Sequence, residues 1–546
     1  MAGSRPEISL CMIVRDEAEC LPRCLESVQG VADEIVVVDT GSVDDTVEIA
    51  RRSGARVEHF PWNGDFASAR NRSLDLATGE WILVLDADEE LHPDDRHGIR
   101  SLVRQTGAEG FLVRIVNRLD SAVPWAEETS VNVRLFRNRP EYRFTGILHE
   151  QIAENIVRAR PGARLEPCAL RILHYGYQQE VVARKEKRLR NLALAREAVT
   201  RAPEDAFLRF NLGVEYLRLE RYEDALAELE AAWRLHARGA LWASKLVKSL
   251  LVCLLRLGRH QDVLARAEAS QAEFPDFTDL VFLRGVALFE LKRHAEAVGV
   301  FHQCLAMGPA PCPPYSGVEP ALGGCKTHLA LGMVYEAMGR LPDAVRHYHQ
   351  AAVLGGGWHE PLGRLAALLI PREDLAAVRG YLEPFFDLGQ PSQRVALANL
   401  FFTHGRYDVA LQYLGPPDPE DGGAGGAAAL LRGRCLAKVG QYEEALAAFR
   451  SVPPESPLHR EALVHTAFCC WCLDRPRAAR AAVRKLGGRD EDYLAVARLF
   501  YSEAEEILSE GLRRFPESTL LQETLVALRE EIADLERPAR PASGDD

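Results

Sequence analysis

The sequence offers little to several common functions. It has no GxxxxGK(S/T) loop to cradle phosphates and no GxGxxG turn for a dinucleotide. No long run of Lys or Arg appears, and Lys+Arg number 66 against Asp+Glu 79, a net charge of −13. Sequence-independent binding to a nucleic-acid backbone is therefore not expected. The longest apolar runs fall far short of the roughly 20 residues that cross a bilayer, and Met1–Pro6 lacks the basic and apolar regions of a secretory signal. We expect a cytoplasmic protein, free or peripheral at the inner membrane surface. The 12 cysteines are scattered, and no CxxC is matched by a second CxxC or a HxxxH at zinc spacing. Cys469, Cys470 and Cys472 fall in a helix-like stretch and are expected as reduced thiols. Hydrophobic content of 47% is ordinary, so cores of normal size are expected.

What is present divides into two grammars. In the first 180 residues, apolar runs alternate with helical spacing. Ile8–Val14, Glu34–Val38, Arg56–Phe60 and Trp81–Leu85 read as strands, the second as a strand buried on both faces and the fourth as a further apolar strand. Glu19–Gln29, Asp44–Ser53 and Phe66–Ala77 read as the helices between them. This order predicts a Rossmann-like α/β domain, with a mostly parallel sheet and ligands at the carboxyl ends of the strands.

From about Val181 the strand signal fades and a repeat emerges. A small residue is followed twelve positions later by Ala in the pairs Gly213/Ala225, Gly285/Ala297, Gly332/Ala344, Ala398/Ala410, Gly433/Ala445 and Ala467/Ala479. ERYEDA, KRHAEA, GRLPDA, GRYDVA and GQYEEA mark the turns. Ala398 to Gly433 is 35 positions and Gly433 to Ala467 is 34, the period of tetratricopeptide repeats. Each such hairpin buries its apolar face only against its neighbours. Ala231–Phe274 and the stretch after Arg480 fit this spacing less well. We expect a catalytic-type domain over 1–180, a linking helix over 181–203 and an all-α repeat superhelix over 204–536. Loops are expected at 309–324 and 415–426, and disorder over 537–546.

Chemistry gathers at the predicted strand ends. Val14-Arg15-Asp16-Glu17 follows the first strand, Asp39-Thr40-Gly41-Ser42 the second, and Asp86-Ala87-Asp88-Glu89 the fourth; Arg70-Asn71 lies on the helix between. Two aspartates two apart at a strand end can set both carboxylates beside one hard cation, Mg²⁺ or Mn²⁺, which can bridge a diphosphate. Asp39 suits a base or ribose, and Arg70 a carbonyl or phosphate.

SLCMIVRDEAE, EIVVVDTGSVDDT, GDFASARNRSLDLATGEWILVLDADEE, FTGILHEQI and LHYGY together resemble family 2 glycosyltransferases over roughly residues 7–180. The pattern is similar to the bacterial branch of lipopolysaccharide-core β-1,4-glucosyltransferases and peptide S-glycosyltransferases, where fusion to tetratricopeptide repeats is familiar. The resemblance implies an A-type nucleotide-sugar-binding fold and inversion at the anomeric carbon. It implies that Ile13, Arg15 and Glu17 line the nucleotide pocket, with Asp39 on the base, typically uracil, and Arg70 supporting it. Asp86 would face ribose or metal, and Asp88 would bind the metal. The Glu-Asp and Gln-x-x-Arg-Trp motifs of many members are missing, so Glu150 is the expected base. His149 or His174 is a candidate third metal ligand or diphosphate contact, with packing as the alternative for each. The expected partners are a nucleotide-sugar donor, a peptide, protein or glycan acceptor, and a protein held by the repeats. Two other readings stay open: a degenerate domain acting as a repeat scaffold, and a nucleotidyltransferase.

Among the remaining polar residues, Glu89 and Glu90 are expected to extend the acidic loop or cap the next helix. Arg184–Arg190 reads as a solvated helix face, and Arg134–Arg143 as mixed, with an acceptor contact open. Trp62 and Trp125 default to packing, with sugar stacking as the alternative.

Overall fold

The computed structural model describes residues 6–118, 127–175, 181–357, 359–416, 422–487 and 516–536, with isolated residues between 495 and 512. Trp125 and the 537–546 tail lie outside the described residues, as do the side chains of 181–188 in the Arg184–Arg190 run. The chain forms two compact units, residues 1–358 and 359–546.

The first unit opens with the predicted alternation. Strands β1 (Ile8–Val14), β2 (Glu34–Asp39), β3 (Arg56–His59) and β4 (Trp81–Val84) alternate with helices α1 (Leu21–Ser27), α2 (Thr46–Arg52) and α3 (Phe66–Leu76). Four more strands follow: β5 (Glu89–Leu91), β6 (Gly110–Arg118), β7 (Glu127–Arg137) and β8 (Leu165–His174), with α4 (Ile99–Arg104) and α5 (Ala153–Ala159) between them. The sheet runs β3-β2-β1-β4-β7-β6-β8-β5. It is parallel from β3 to β4 and turns antiparallel where β7 pairs with β4 and β6. Both faces are covered, which is why β1 is apolar but for Ser9, whose hydroxyl donates to Glu34. Leu10 and Met12 pack into one core and Cys11 and Ile13 into the other. Glu89 and Glu90 therefore neither extend a loop nor cap a helix. They form the short strand β5, paired with β8.

Helix α6 (Val181–Arg201) leads to hairpins α7/α8 (Ala206–Arg218, Tyr222–Leu235), α9/α10 (Ala243–Arg256, His260–Ser270), α11/α12 (Thr278–Glu290, His294–Met307) and α13/α14 (Cys325–Ala337, Leu341–Leu354). The small residues sit where paired helices touch. A Cβ on Gly213, Gly285 or Gly332 would lie 2.6 Å or less from the side chain of Leu229, Phe301 or Tyr348 respectively. Each of those side chains stands four positions beyond the fully buried Ala225, Ala297 or Ala344. Gly332→Ala is therefore expected to lose roughly 1–3 kcal/mol of stability by overpacking. Gly299→Ala, in α12 with nothing within 4 Å of the added Cβ, should gain up to about 1 kcal/mol from helix propensity. Urea unfolding of the two variants checks the contrast.

Hairpin α9/α10 falls in the poorly fitting stretch. It keeps the twelve-residue spacing with larger residues, Leu251 and Val263, both fully buried. In the second unit, α15 (His359–Leu369), α16 (Leu375–Leu382), α17 (Pro391–Thr403), α18 (Tyr407–Leu414), α19 (Gly422–Lys438), α20 (Tyr442–Arg450), α21 (His459–Cys472) and α22 (Pro476–Leu486) continue in hairpins. The loop expected over 415–426 is shorter than that. The Gly422–Gly426 stretch already belongs to α19, because Ala427–Ala429 and Leu430 extend the helix back through it.

Within the first unit, sheet and repeats are welded. The 309–324 segment, a connection between α12 and α13, reaches the strand β7. Thr129 N donates to Val318 O at 2.7 Å and Val318 N to Thr129 O at 2.9 Å. Beside this bridge Lys248 of α9 sits 2.8 Å from Asp279 Oδ1, donates to Gly317 O at 2.7 Å, and lies 3.8 Å from Glu128 of β7. Asp279 is wholly buried and its carboxyl is pushed up by that burial. Lys248→Met strands Asp279 and is expected to cost about 3–5 kcal/mol. Its denaturant midpoint measures this directly.

Candidate functional site

The parallel strands deliver their carboxyl ends to one edge. In register, Val14 lies beside Asp39, and the chain leaving β4 reaches Asp86 two residues on. A cleft of about 1120 Å³ opens there. Ile13, Arg15, Glu17, Arg70, Asp86 and Asp88 all line it. So do His149, Glu150 and His174. Asp39 is set just behind the wall, where its neighbour Thr40 takes the lining position. The Asp39 carboxylate accepts from Gly41 N at 3.2 Å and Ser42 N at 3.0 Å, and pairs with His59 Nδ1 at 3.0 Å. Burial would raise its pKa, but these bonds outweigh it and hold the group ionised.

Arg70 organises the floor. It lies on α3, whose start is capped by Asp65 accepting from Ser68 N at 3.2 Å. Its guanidinium, 7% exposed, donates from Nη2 to Asp86 Oδ1 at 2.6 Å and from Nε to Glu150 Oε1. Arg134 of β7, from the mixed Arg134–Arg143 stretch, closes the other side. It donates to Asp86 Oδ2 at 3.3 Å and to the buried Glu89 at 2.7 Å. Burial alone would raise the Asp86 pKa, yet the two guanidiniums hold it well below the usual carboxylate range. For Glu89, burial wins and the carboxyl is pushed up.

The two candidate histidines part company. His174, at the end of β8, places Nε2 3.3 Å from Asp88 Oδ2. Its Nδ1 is 2.7 Å from Asn117 Oδ1, and Asn117 Nδ2 donates to Glu128 O at 3.0 Å. That second bond fixes the amide orientation, so Nδ1 must carry the proton. In a neutral ring, Nε2 then turns a lone pair toward the Asp88 carboxylate. Burial disfavours the charged ring, but Asp88 outweighs it and raises the His174 pKa. Two acceptors facing one another suit a proton or a cation between them. Among the described residues no three His, Cys, Asp or Glu side chains gather as a metal site.

His149 faces away from this pair. It adopts a left-handed backbone, φ 55°, and its Nε2 lies 3.3 Å from Glu215 Oε1 on α7. Glu215 is wholly buried and also takes Arg218 Nη1 at 2.6 Å. Leu148 packs into the cluster formed by α6 to α9, with Phe210 and Leu229. The loop is pinched at its base by Thr145 and Gln151, which exchange backbone bonds of 3.0 and 2.9 Å. The first repeat thus holds the loop that carries Glu150. Sequence reasoning left Arg134 in a mixed stretch with an acceptor contact open, missed Asn117 and Glu215 as site residues, and missed that α7 and the start of α9 line the cleft. Trp62 also lines it, edge-on to Phe66 at 4.7 Å.

Residues 9–160 match the glycosyl transferase family 2 model, and residues 253–310 and 327–357 match tetratricopeptide repeat models. The chain is 39% identical over 217 residues to a TPR repeat-containing protein of Synechococcus elongatus, covering 39% of this chain and 53% of that protein. It is 28% identical over 292 residues to the SPbeta prophage-derived glycosyltransferase SunS of Bacillus subtilis, covering 52% of this chain and 67% of SunS. It is 42% identical over 106 residues to an uncharacterized glycosyltransferase of Rickettsia felis, covering 19% and 37%. The match spans about half of the Synechococcus protein and a little over a third of the Rickettsia one. Among the described residues no helix is long and apolar enough to cross a membrane. The chain joins a family 2 glycosyl transferase domain to tetratricopeptide repeats.

Proposed function

We propose that the cleft transfers a sugar, with inversion, from a UDP-sugar to a hydroxyl or thiol of a peptide, protein or glycan. The reading rests on one observation: Asp86, Asp88, Arg70, Glu150 and His174 meet in one cleft at the carboxyl end of a parallel sheet. Ile13, Arg15 and Glu17 line the nucleotide end, and Asp39 shapes it from behind through Thr40 and Ser42. Asp86, already held by two guanidiniums, is left to the ribose rather than to a metal. Asp88 and His174 would hold Mn²⁺ or Mg²⁺, which would neutralise the departing diphosphate. Glu150 takes the proton of the acceptor. The reaction belongs in the cytoplasm, where nucleotide-sugars are made, and the later repeats hold a protein partner.

Release of nucleoside diphosphate from UDP-, GDP- and dTDP-sugars, with and without Mn²⁺ or Mg²⁺, tests this. Metal-dependent release from one donor is expected. No release together with no donor binding would overturn it in favour of a repeat scaffold, and pyrophosphate release would point to nucleotidyl transfer.

A further inference from the structure

Six Arg and Lys side chains line the cleft: Arg15, Arg70, Arg134, Arg190, Arg218 and Lys245. Five of them are committed to carboxylates. Arg70 holds Asp86 and Glu150, and Arg134 holds Asp86 and Glu89. Arg218 Nη1 donates to Glu215 at 2.6 Å, and Lys245 Nζ donates to Glu128 at 3.0 Å. Arg15 is held loosely, its Nε 3.7 Å from Asp16 Oδ2. Arg190 is the exception: among the described residues it has neither a carboxylate partner nor a hydrogen bond.

Arg190 ends the Arg184–Arg190 run. It is exposed, as on a solvated helix face, but it is exposed into the cleft. It belongs to α6, outside residues 9–160 of the family 2 match and outside both repeat matches. Leu192 and Ala195, just beyond it, are buried in the cluster that holds Phe210 and Leu229. The first repeat hairpin therefore anchors the helix where Arg190 leaves it.

The nearest charge to act on Arg190 is a second cation. Partial burial and, after it, the charge of Arg15 lower the pKa of its guanidinium, which stays protonated at any working pH. Two arginines brought together without a carboxylate between them suit an anion. The order of the sheet says which anion. Strand β1 lies between β2 and β4. Asp39, at the base end, closes β2, and Asp88, at the metal end, follows β4. These ends are two strand spacings apart, about 10 Å. A nucleotide stretched between them carries its diphosphate across the end of β1, where Arg15 stands. On the glycosyl-transfer reading above, we infer that Arg190 binds the diphosphate of the donor together with Arg15, so that the linking helix completes the nucleotide site. Its guanidinium donates to phosphate oxygens. It stabilises the negative charge that the diphosphate keeps when the electron pair of the sugar–oxygen bond leaves with it.

The test measures binding of UDP and of uridine to the full chain with Mn²⁺, UDP by calorimetry and uridine by competition against UDP. If the donor panel selects GDP or dTDP instead, that nucleotide and its nucleoside are used. Arg190→Gln keeps a good helix former at an exposed position, so the fold is expected to survive. It should weaken UDP about tenfold, as loss of one hydrogen bond to a charged group does, and leave uridine within about twofold. Arg190→Glu sets a carboxylate against the diphosphate and should weaken UDP further, with uridine again unchanged. Unchanged UDP affinity in both variants would overturn the inference. With transfer intact it would return Arg190 to a solvated helix face, and with transfer slowed it would assign Arg190 to an acidic acceptor. Equal losses for UDP and uridine would mean that Arg190 only supports the shape of the cleft, and would also overturn it. A wild type that binds none of UDP, GDP and dTDP is the distinct failure of the glycosyl-transfer reading itself.

Discussion

On the proposed metal role, Asp88→Asn is expected to lower nucleoside diphosphate release by about 100-fold or more. The substitution keeps the size of the side chain and its place after β4. It removes the charge facing His174 Nε2 at 3.3 Å. His174 cannot compensate, because Asn117 holds its other nitrogen and keeps the ring turned toward position 88. The loss should therefore be partly recovered at high Mn²⁺ concentration, which a change in folding would not allow. Asp86→Asn should behave differently. Its carboxylate lies between Arg70 and Arg134, so neutralising it unbalances a buried cluster, and extra Mn²⁺ should recover nothing. Steady-state rates across a Mn²⁺ titration separate the two. Full activity of Asp88→Asn at every Mn²⁺ concentration would remove Asp88 from the metal.

The two aspartates show what a sequence can and cannot tell. Their place after WILVL was legible, because a strand buried on both faces is uniformly apolar and ends at the first charge. The same logic located β2 and Asp39. The repeats were legible through their smallest residues, since a glycine such as Gly332 is demanded by the ring of Tyr348 packed on it. Hairpin α9/α10 was not, because Leu251 and Val263 fill the equivalent contact with larger side chains and leave no small-residue signature. The partners of the acidic motif were hidden for another reason. Asp86 meets Arg134, 48 positions on, and His174, which faces Asp88, meets Asn117, 57 positions back. Neither partner has a local pattern that marks it. The same holds for the wall supplied by α7, which the first domain meets only through tertiary packing.

Glu150→Gln is expected to lower transfer by about 10²–10⁴-fold, the usual contribution of a general base. The amide oxygen can still accept from Arg70 Nε, so the link between α3 and the loop survives. What is lost is the ability to take a proton. The surroundings make the position of Glu150 a property of the whole first unit. His149, in its left-handed conformation, is tied to Glu215 of α7, and Leu148 is buried among the repeat side chains. A backbone held against its preference persists only where neighbours fix it. Glu215→Ala, far from any donor contact, is accordingly expected to lower kcat several-fold with little change in donor KM, through displacement of Glu150. It should add almost nothing to a chain already carrying Glu150→Gln, because both changes act on one group. Additive losses in the double variant would separate the repeat from the base and leave Glu215 with a purely structural role.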